Sequence, residues 1–252
     1  MIHPTAIVDP KAELADDVTV GPYSIIGEHV RIDAGTEVGP HVVINGHTRI
    51  GKNNRFFQFS SIGEENQDKK YAGEPTRTVI GDGNVFREAC TVHRGTVQDQ
   101  GETRIGNNGW FMAYTHIAHD CVLGDQVILS NNATLAGHVL IGDWVILSGF
   151  AKVHQFCQIG AHAFIGMNSD IARDVPPFVL IGENQPRAIN TEGLKRRGFE
   201  AGDINDLRRA YKMLYRQGLK RDEAIAAIAT LESRHCQTLT DFLKTSQRGI
   251  LR

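Results

Sequence analysis

The sequence predicts an all-β solenoid, a parallel β-helix built on a six-residue repeat, followed by a small α-helical C-terminal domain. Three observations carry this. Apolar residues recur every six positions, the residue after each of them is usually small or turn-forming, and the pattern gives way to helical spacing near residue 200. Repeats of this length cannot close a core alone, so successive units must stack, each covering the edge of its neighbour.

The repeat starts at Ile2 and runs through Val8, Leu14, Val20, Ile26, Ile32, Val38, Ile44, Ile50 and Phe56 to Ile62 without a miss. It resumes at Ile80, Phe86 and Val92. A second unbroken run begins at Ile105 and passes Ile117, Leu123, Leu135, Leu147, Val153 and Ile165 to end at Ile171. The fifth position is small or β-branched, as at Ser24, Val42, Ala133 and Ala163, which gives each unit a second inward seat. Cys90, Cys121 and Cys157 occupy that seat and read as core packing, not as nucleophiles.

Two polar stretches, 68–79 and 98–104, lack the period and read as loops protruding from the solenoid, where binding residues concentrate. The domain boundary falls at 185/186. Beyond it Ile204, Leu207, Ala210, Tyr211 and Leu214, then Ala224, Ile225, Ile228 and Leu231, recur at three- and four-residue spacing and predict a small helical domain.

Composition excludes several classes. A formal net charge of −2 argues against a nucleic-acid binder, and no apolar run is long enough to cross a bilayer. No signal peptide is evident and the cysteines are unpaired in spacing, so a soluble cytoplasmic protein is expected. The charge is uneven: residues 190–252 carry a net +5 and residues 1–189 a net −7. A basic tail suits an acidic partner.

The unbroken period resembles that of the hexapeptide-repeat acyltransferases, which implies three hexads per coil, so that residues 18 apart lie about 4.8 Å from each other on adjacent coils. The units starting at Ile117, Leu135 and Val153 therefore stack. Gly137 falls above His119 and Asp120 beneath His138, with His154 and Gln155 one coil higher. His116 is placed at the corner just before this wall. His93 lies in the broken part of the repeat and reads as structural.

The runs "NQDKKYAGEPTR" (66–77), "HRGTVQ" (93–98), "HIAHDC" (116–121), "NNATLAGH" (131–138), "VHQFC" (153–157) and "EGLKRRGF" (192–199) together resemble the UDP-N-acetylglucosamine O-acyltransferase family, along essentially the whole chain. The resemblance implies a left-handed coil and a homotrimer with clefts between subunits. It implies transfer of an (R)-3-hydroxyacyl group from acyl carrier protein to the 3-hydroxyl of UDP-N-acetylglucosamine, which opens lipid A biosynthesis. No cofactor or metal is implied, since the acyl group arrives on the carrier's phosphopantetheine.

Carried over by motif, His119 is the general base, Asp120 its acidic partner, and the Gly137 N–H the oxyanion donor. The resemblance places Asp68, Lys70, His116, His138, His154 and Gln155 around sugar and phosphopantetheine, and Asn190, Glu192, Arg196 and Arg197 on the nucleotide. Met167, in "IGMNS", matches the residue that sets acyl-chain length. It follows His119 by 48 residues, an axial rise of roughly 13 Å at ~4.8 Å per coil. At ~1.3 Å per carbon that span holds about ten carbons, if a buried methionine ends it.

The rival from another class is a zinc lyase resembling γ-class carbonic anhydrase, with His116, His119 and His138 as ligands. The basic tail has no role in hydrating a small molecule, and Asp120 and Gly137 fit acyl transfer without metal. The related N-acyltransferase carries an extra N-terminal domain, for which hexads beginning at Ile2 leave no room. An ice-binding ladder would need rows of outward threonines, which are missing.

Overall fold

A computed structural model describes all 252 residues. Short parallel strands form three flat faces that close a triangular prism. The first face runs from Ile7–Val8 to Asp170–Ile171 in nine strands, and the second from Glu13–Leu14 to Gln158–Ile159 in eight. The third holds ten strands, from Thr19–Val20 to Gln185–Ile189. Strands pair in the 18-residue register wherever no loop intervenes, as in His116↔Thr134↔Lys152.

Each strand is two residues long in most coils, one outward and one inward. The inward column on the first face, Ile117, Leu135, Val153 and Ile171, is fully enclosed. Truncating such a residue, Leu135→Ala for example, costs about 2–5 kcal/mol because neighbours in a stacked column cannot collapse into the gap. On the third face Phe56, Phe86 and Phe111 replace aliphatics and stack at 4.9 and 4.7 Å.

Most corners are tight because one residue in them adopts left-handed backbone. Asp120, His138 and Phe156 do so at the corner between first and second faces, with φ of 58°, 61° and 64°. Side chains rarely favour this region, and here inter-coil hydrogen bonds hold it: His138 N–H donates to the His119 carbonyl at 3.0 Å and Phe156 N–H to the Gly137 carbonyl at 3.1 Å.

Both inserted loops leave from that same corner. They are shorter than the sequence suggests, since Arg77–Ile80 and Glu102–Ile105 are strands paired in register with each other. Residues 77–79 and 102–104 therefore belong to the second face. A search for apolar residues every six positions misses them because threonine fills the additional inward seat: Thr48, Thr78 and Thr103 stack in one buried column.

The prism ends in an antiparallel hairpin, Val179–Gly182 with Gln185–Ile189, so sheet structure continues past the expected boundary at 185/186. Four helices follow: α1 (Thr191–Arg196), α2 (Ala201–Tyr215), α3 (Arg221–Ala229) and α4 (Arg234–Thr245). The expected apolar stripe of α2 is buried, as are Ala224 and Ile228 of α3, whereas Ile225 and Leu231 are half-buried. The short α1 shows no period to read. α4 buries Cys236, Leu239, Thr240 and Leu243.

The helices are fastened to the prism. The Tyr211 hydroxyl donates to the Pro186 carbonyl at 2.8 Å, and the Ser246 hydroxyl to the Asp174 carboxylate at 2.6 Å. No helix is long and apolar enough to cross a membrane.

Candidate active site

His119 and Asp120 form the corner that follows strand His116–Ile117. His119 Nδ1 lies 2.9 Å from Asp120 Oδ2. An ionised carboxylate only accepts, so Nδ1 carries the proton and Nε2 is left unprotonated in the neutral ring. Burial alone would raise the Asp120 carboxyl, but hydrogen bonds from His119 and Thr96 outweigh it and hold the group below its ordinary range. Above the ring sits Gly137, where the absence of a side chain leaves space: a Cβ there would stand 2.5 Å from His119 Cε1. The Gly137 N–H makes no hydrogen bond within the chain.

A second histidine–carboxylate pair stands beside the first. His138 Nδ1 is 2.7 Å from Asp99 Oδ2 on the second inserted loop. The His138 ring stacks on Phe156 at 4.4 Å and meets His119 edge-on at 5.0 Å. Thr96, three residues before Asp99, is 2 % exposed and donates to Asp120 through both its N–H and its hydroxyl.

These groups open into a cavity of about 1070 Å³ that gathers six residues expected from sequence: Asp68, Lys70, His116, His119, His138 and Gln155. Gln67, Thr96, Gln98, Asp99 and Phe156 line it too, and sequence reasoning did not single them out. Thr96 and Gln98 fall in the run "HRGTVQ", Gln67 in "NQDKKYAGEPTR" and Phe156 in "VHQFC", which carried no roles for them, and Asp99 falls in none of the runs.

His116 sits on the strand, outward-facing, and not at the corner as expected. Its Nδ1 bonds the Thr91 hydroxyl at 2.8 Å, and burial, then the neighbouring His93 and His119, push it down to about 4. It is therefore a neutral hydrogen-bonding group near pH 7. His93 is buried and ties the first loop down through the Glu65 carbonyl at 2.7 Å. All four cysteines are buried and free, and burial pushes the Cys121 thiol up to about 12.

The remaining expected residues lie elsewhere in the single chain. His154 is exposed, its Nδ1 near the Gln155 carbonyl, and does not line the cavity. Met167 is not buried: it is 72 % exposed, because the third hexad position points outward at a corner. Its corner, between the third and first faces, is not the one that carries His119.

The nucleotide candidates collect around α1. Asn190 is 5 % exposed and caps the helix, accepting from Gly193 N–H at 3.2 Å and donating to the His162 carbonyl at 3.0 Å. Arg197, at the other end, donates to His162 Nδ1 at 3.1 Å and lies 5.1 Å from the Trp144 ring centre. Arg196 and Glu192 are exposed, Glu192 paired with Lys195. Asn190 and Arg197 thus bind α1 to the prism, and Arg196 and Glu192 face solvent.

For a metal, the side-chain atoms that converge within 4.8 Å belong to His119, Asp120 and His138. The zinc reading needs His116 in Asp120's place. Of the six ring nitrogens and carboxylate oxygens in this cluster, four are already hydrogen-bonded: His119 Nδ1 with Asp120, His138 Nδ1 with Asp99, and both Asp120 oxygens with Thr96.

The chain is similar to known proteins along its whole length. Residues 174–251 match the family described as UDP-N-acetylglucosamine O-acyltransferase, domain 2, and residues 102–137 match the bacterial transferase hexapeptide (six repeats). The acyl-[acyl-carrier-protein]–UDP-N-acetylglucosamine O-acyltransferase of Thiobacillus denitrificans is 58 % identical, over 100 % of this chain and 99 % of the relative. That of Herminiimonas arsenicoxydans is 55 % identical over 100 % and 99 %. Among solved structures, the Acinetobacter baumannii protein superimposes with a TM-score of 0.97 at 48 % identity, covering 100 % of this chain and 99 % of that one. The Francisella novicida UDP-N-acetylglucosamine acyltransferase gives 0.98 at 44 %, covering 100 % and 94 %. The coil is left-handed, the rare hand for parallel crossovers. Full-length identity, the three-faced coil and the His119–Asp120 corner under Gly137 lead to one assignment: the chain belongs to the UDP-N-acetylglucosamine O-acyltransferase family.

Proposed function

We propose that this protein transfers an (R)-3-hydroxyacyl group from acyl carrier protein to the 3-hydroxyl of UDP-N-acetylglucosamine, the first step of lipid A biosynthesis. The observation that carries the reading is the His119 ring, held by Asp120 at Nδ1 beneath the unengaged Gly137 N–H. A sugar hydroxyl is a poor nucleophile until a base takes its proton, and imidazole suits that task near neutral pH.

His119 Nε2 removes the proton as the hydroxyl oxygen attacks the thioester carbonyl. The carbonyl oxygen takes up negative charge, which the Gly137 N–H stabilises. Collapse expels the phosphopantetheine sulfur, and the proton returns from His119 to give free thiol and ester. Asp120 keeps the ring in the tautomer this needs and stabilises its charged form. Asp68, Lys70, His116, His138 and Gln155 bind and orient the two substrates in the same cavity, and no metal takes part.

The active assembly is a homotrimer. Support comes from exposed aromatics along the corner between third and first faces: Tyr23, Phe59, Tyr114 and Phe150. Tyr23, His41 and Phe59 stack along this ridge at 5.2 and 5.6 Å, and contiguous apolar surface of this kind favours association. A neighbouring subunit would bring His154, Met167 and the exposed Arg196 and Glu192 of α1 to the cavity.

Mass spectrometry of products from defined 3-hydroxyacyl carriers and UDP-sugars tests the reading. The expected product is the 3-O-acylated UDP-N-acetylglucosamine, formed equally well after chelation. No acylated product from any carrier, with zinc bound stoichiometrically, would favour the lyase-like alternative.

A further inference from the structure

We propose that Thr96 and Asp99, both in the connection between strands Thr91–His93 and Glu102–Ile105, are positioning residues for acyl transfer. Thr96 fixes Asp120 and through it His119, and Asp99 fixes His138. This rests on the acyltransferase reading of the same cavity and adds two residues to it.

Asp120 is gripped from two sides. Thr96 N–H reaches both carboxylate oxygens, at 2.9 and 3.1 Å, and the Thr96 hydroxyl reaches Oδ2 at 2.7 Å. Behind it, Asp120 N–H donates to the Thr103 hydroxyl at 2.8 Å. A carboxylate so held cannot rotate away, and the His119 ring must take its Nδ1–H to a fixed acceptor. Without Thr96 the carboxylate would be free to turn about its own Cα–Cβ bond, since residues 119 and 120 are neighbours at a corner.

Asp99 does the same for the second ring directly. The loop closes through Asp99 N–H and Gly101 N–H, both donating to the Thr96 carbonyl at 3.3 and 3.0 Å. That turn sends the Thr96 and Asp99 side chains to adjacent histidines. With Nδ1 held by Asp99 and one face covered by Phe156, His138 presents Nε2 to the cavity. A loop serving only to shield the cavity would need neither pair of contacts.

The test uses the full-length protein with (R)-3-hydroxyacyl carrier and UDP-N-acetylglucosamine, alongside ¹⁵N NMR of the histidine rings. Asn at 99 offers Nδ1 an amide donor and so admits the wrong tautomer. D99N should lower kcat by about tenfold or more with KM for the nucleotide sugar within about twofold, a loss on the scale of misplaced acid–base groups. Its ring spectrum should change at His138 and not at His119. T96V, which removes the hydroxyl bond and keeps the backbone N–H, should lower kcat by a smaller factor and change the His119 signals, and T96S should restore most of both. Wild-type kcat in D99N and T96V, or ring signals that stay put, would overturn the proposal. If T96V does not fold, D99N and the comparison of T96S with wild type still decide it. If the wild-type protein fails to acylate the nucleotide sugar, the functional reading falls, and the ring spectra alone then judge the positioning.

Discussion

Gly137 lies directly over the His119 ring, so that a Cβ at 137 would stand 2.5 Å from Cε1 and 2.7 Å from Nε2. Side-chain atoms do not approach that closely, so Gly137→Ala must displace the ring from its place between Asp120 and the 137 backbone. The expected outcome is a folded protein whose turnover falls by roughly a hundredfold or more, the scale of losing an oxyanion donor. Turnover with the carrier substrate, beside a thermal melt, checks it. Wild-type kcat in a folded alanine variant would remove both the close packing and the donor from the mechanism.

His119→Ala leaves the inward column of the coil untouched, since the side chain points out at a corner. The protein should fold and assemble as before while turnover drops by roughly 10²–10⁴. Steady-state rates on the purified assembly decide this. Retention of more than about a tenth of wild-type turnover would mean another group takes the proton.

Met167 is 72 % exposed in the single chain. Replacing it with glycine should therefore cost the subunit little stability. If a neighbouring subunit closes over it, the wild type should prefer 3-hydroxydecanoyl over 3-hydroxymyristoyl carrier, and Met167→Gly should shift the preference to longer chains. Competition between the two carriers, read by mass spectrometry, is the measurement. A wild type that prefers fourteen carbons, or a variant with an unchanged ratio, shows that something else measures the chain.

Acyl carrier proteins are acidic, and the segment from Asn190 onward carries a net +5. Arg221 donates to the Leu243 carbonyl and Arg216 to the Tyr211 hydroxyl, so reversing those charges would disturb the helices themselves. Lys212 and Lys220 are exposed. Lys212→Glu with Lys220→Glu should raise KM for the carrier and flatten its dependence on salt, with kcat unchanged. An unaltered KM across a salt series would leave these lysines as solvated surface.

How far the sequence reached depended on the register. In an unbroken coil, 18 residues of sequence separate atoms that touch, so Gly137 over His119 and Asp120 under His138 were legible once the resemblance supplied three hexads per coil. Thr96 and Asp99 were not, because the loop that carries them breaks the count: they reach partners 24 and 39 residues away, and neither is a multiple of the coil. The inward threonines Thr78 and Thr103 hid two strands from a search for apolar seats. The exposure of Met167 was legible, since it shares the outward third position with His119, yet it was expected to be buried. The hand of the coil has no signature in period six. At the far end, a helix of six residues is shorter than two turns and shows no stripe, so α1 emerged only with the structure.

That small helix is held at both ends by one residue of the coil. Asn190 at its start bonds the His162 carbonyl, and Arg197 at its finish bonds the His162 ring, which burial pushes down to about 4 and so keeps neutral and accepting. Six residues in isolation would not stay helical. Freezing a backbone costs about 1–2 kcal/mol per residue, and here that loss falls within folding and not within ligand capture. A ligand reaching Arg196 and Glu192 would meet a preformed ledge. Its binding should carry only a small entropic penalty from chain ordering, and calorimetry of nucleotide binding should find none of the large heat-capacity change that accompanies folding on contact.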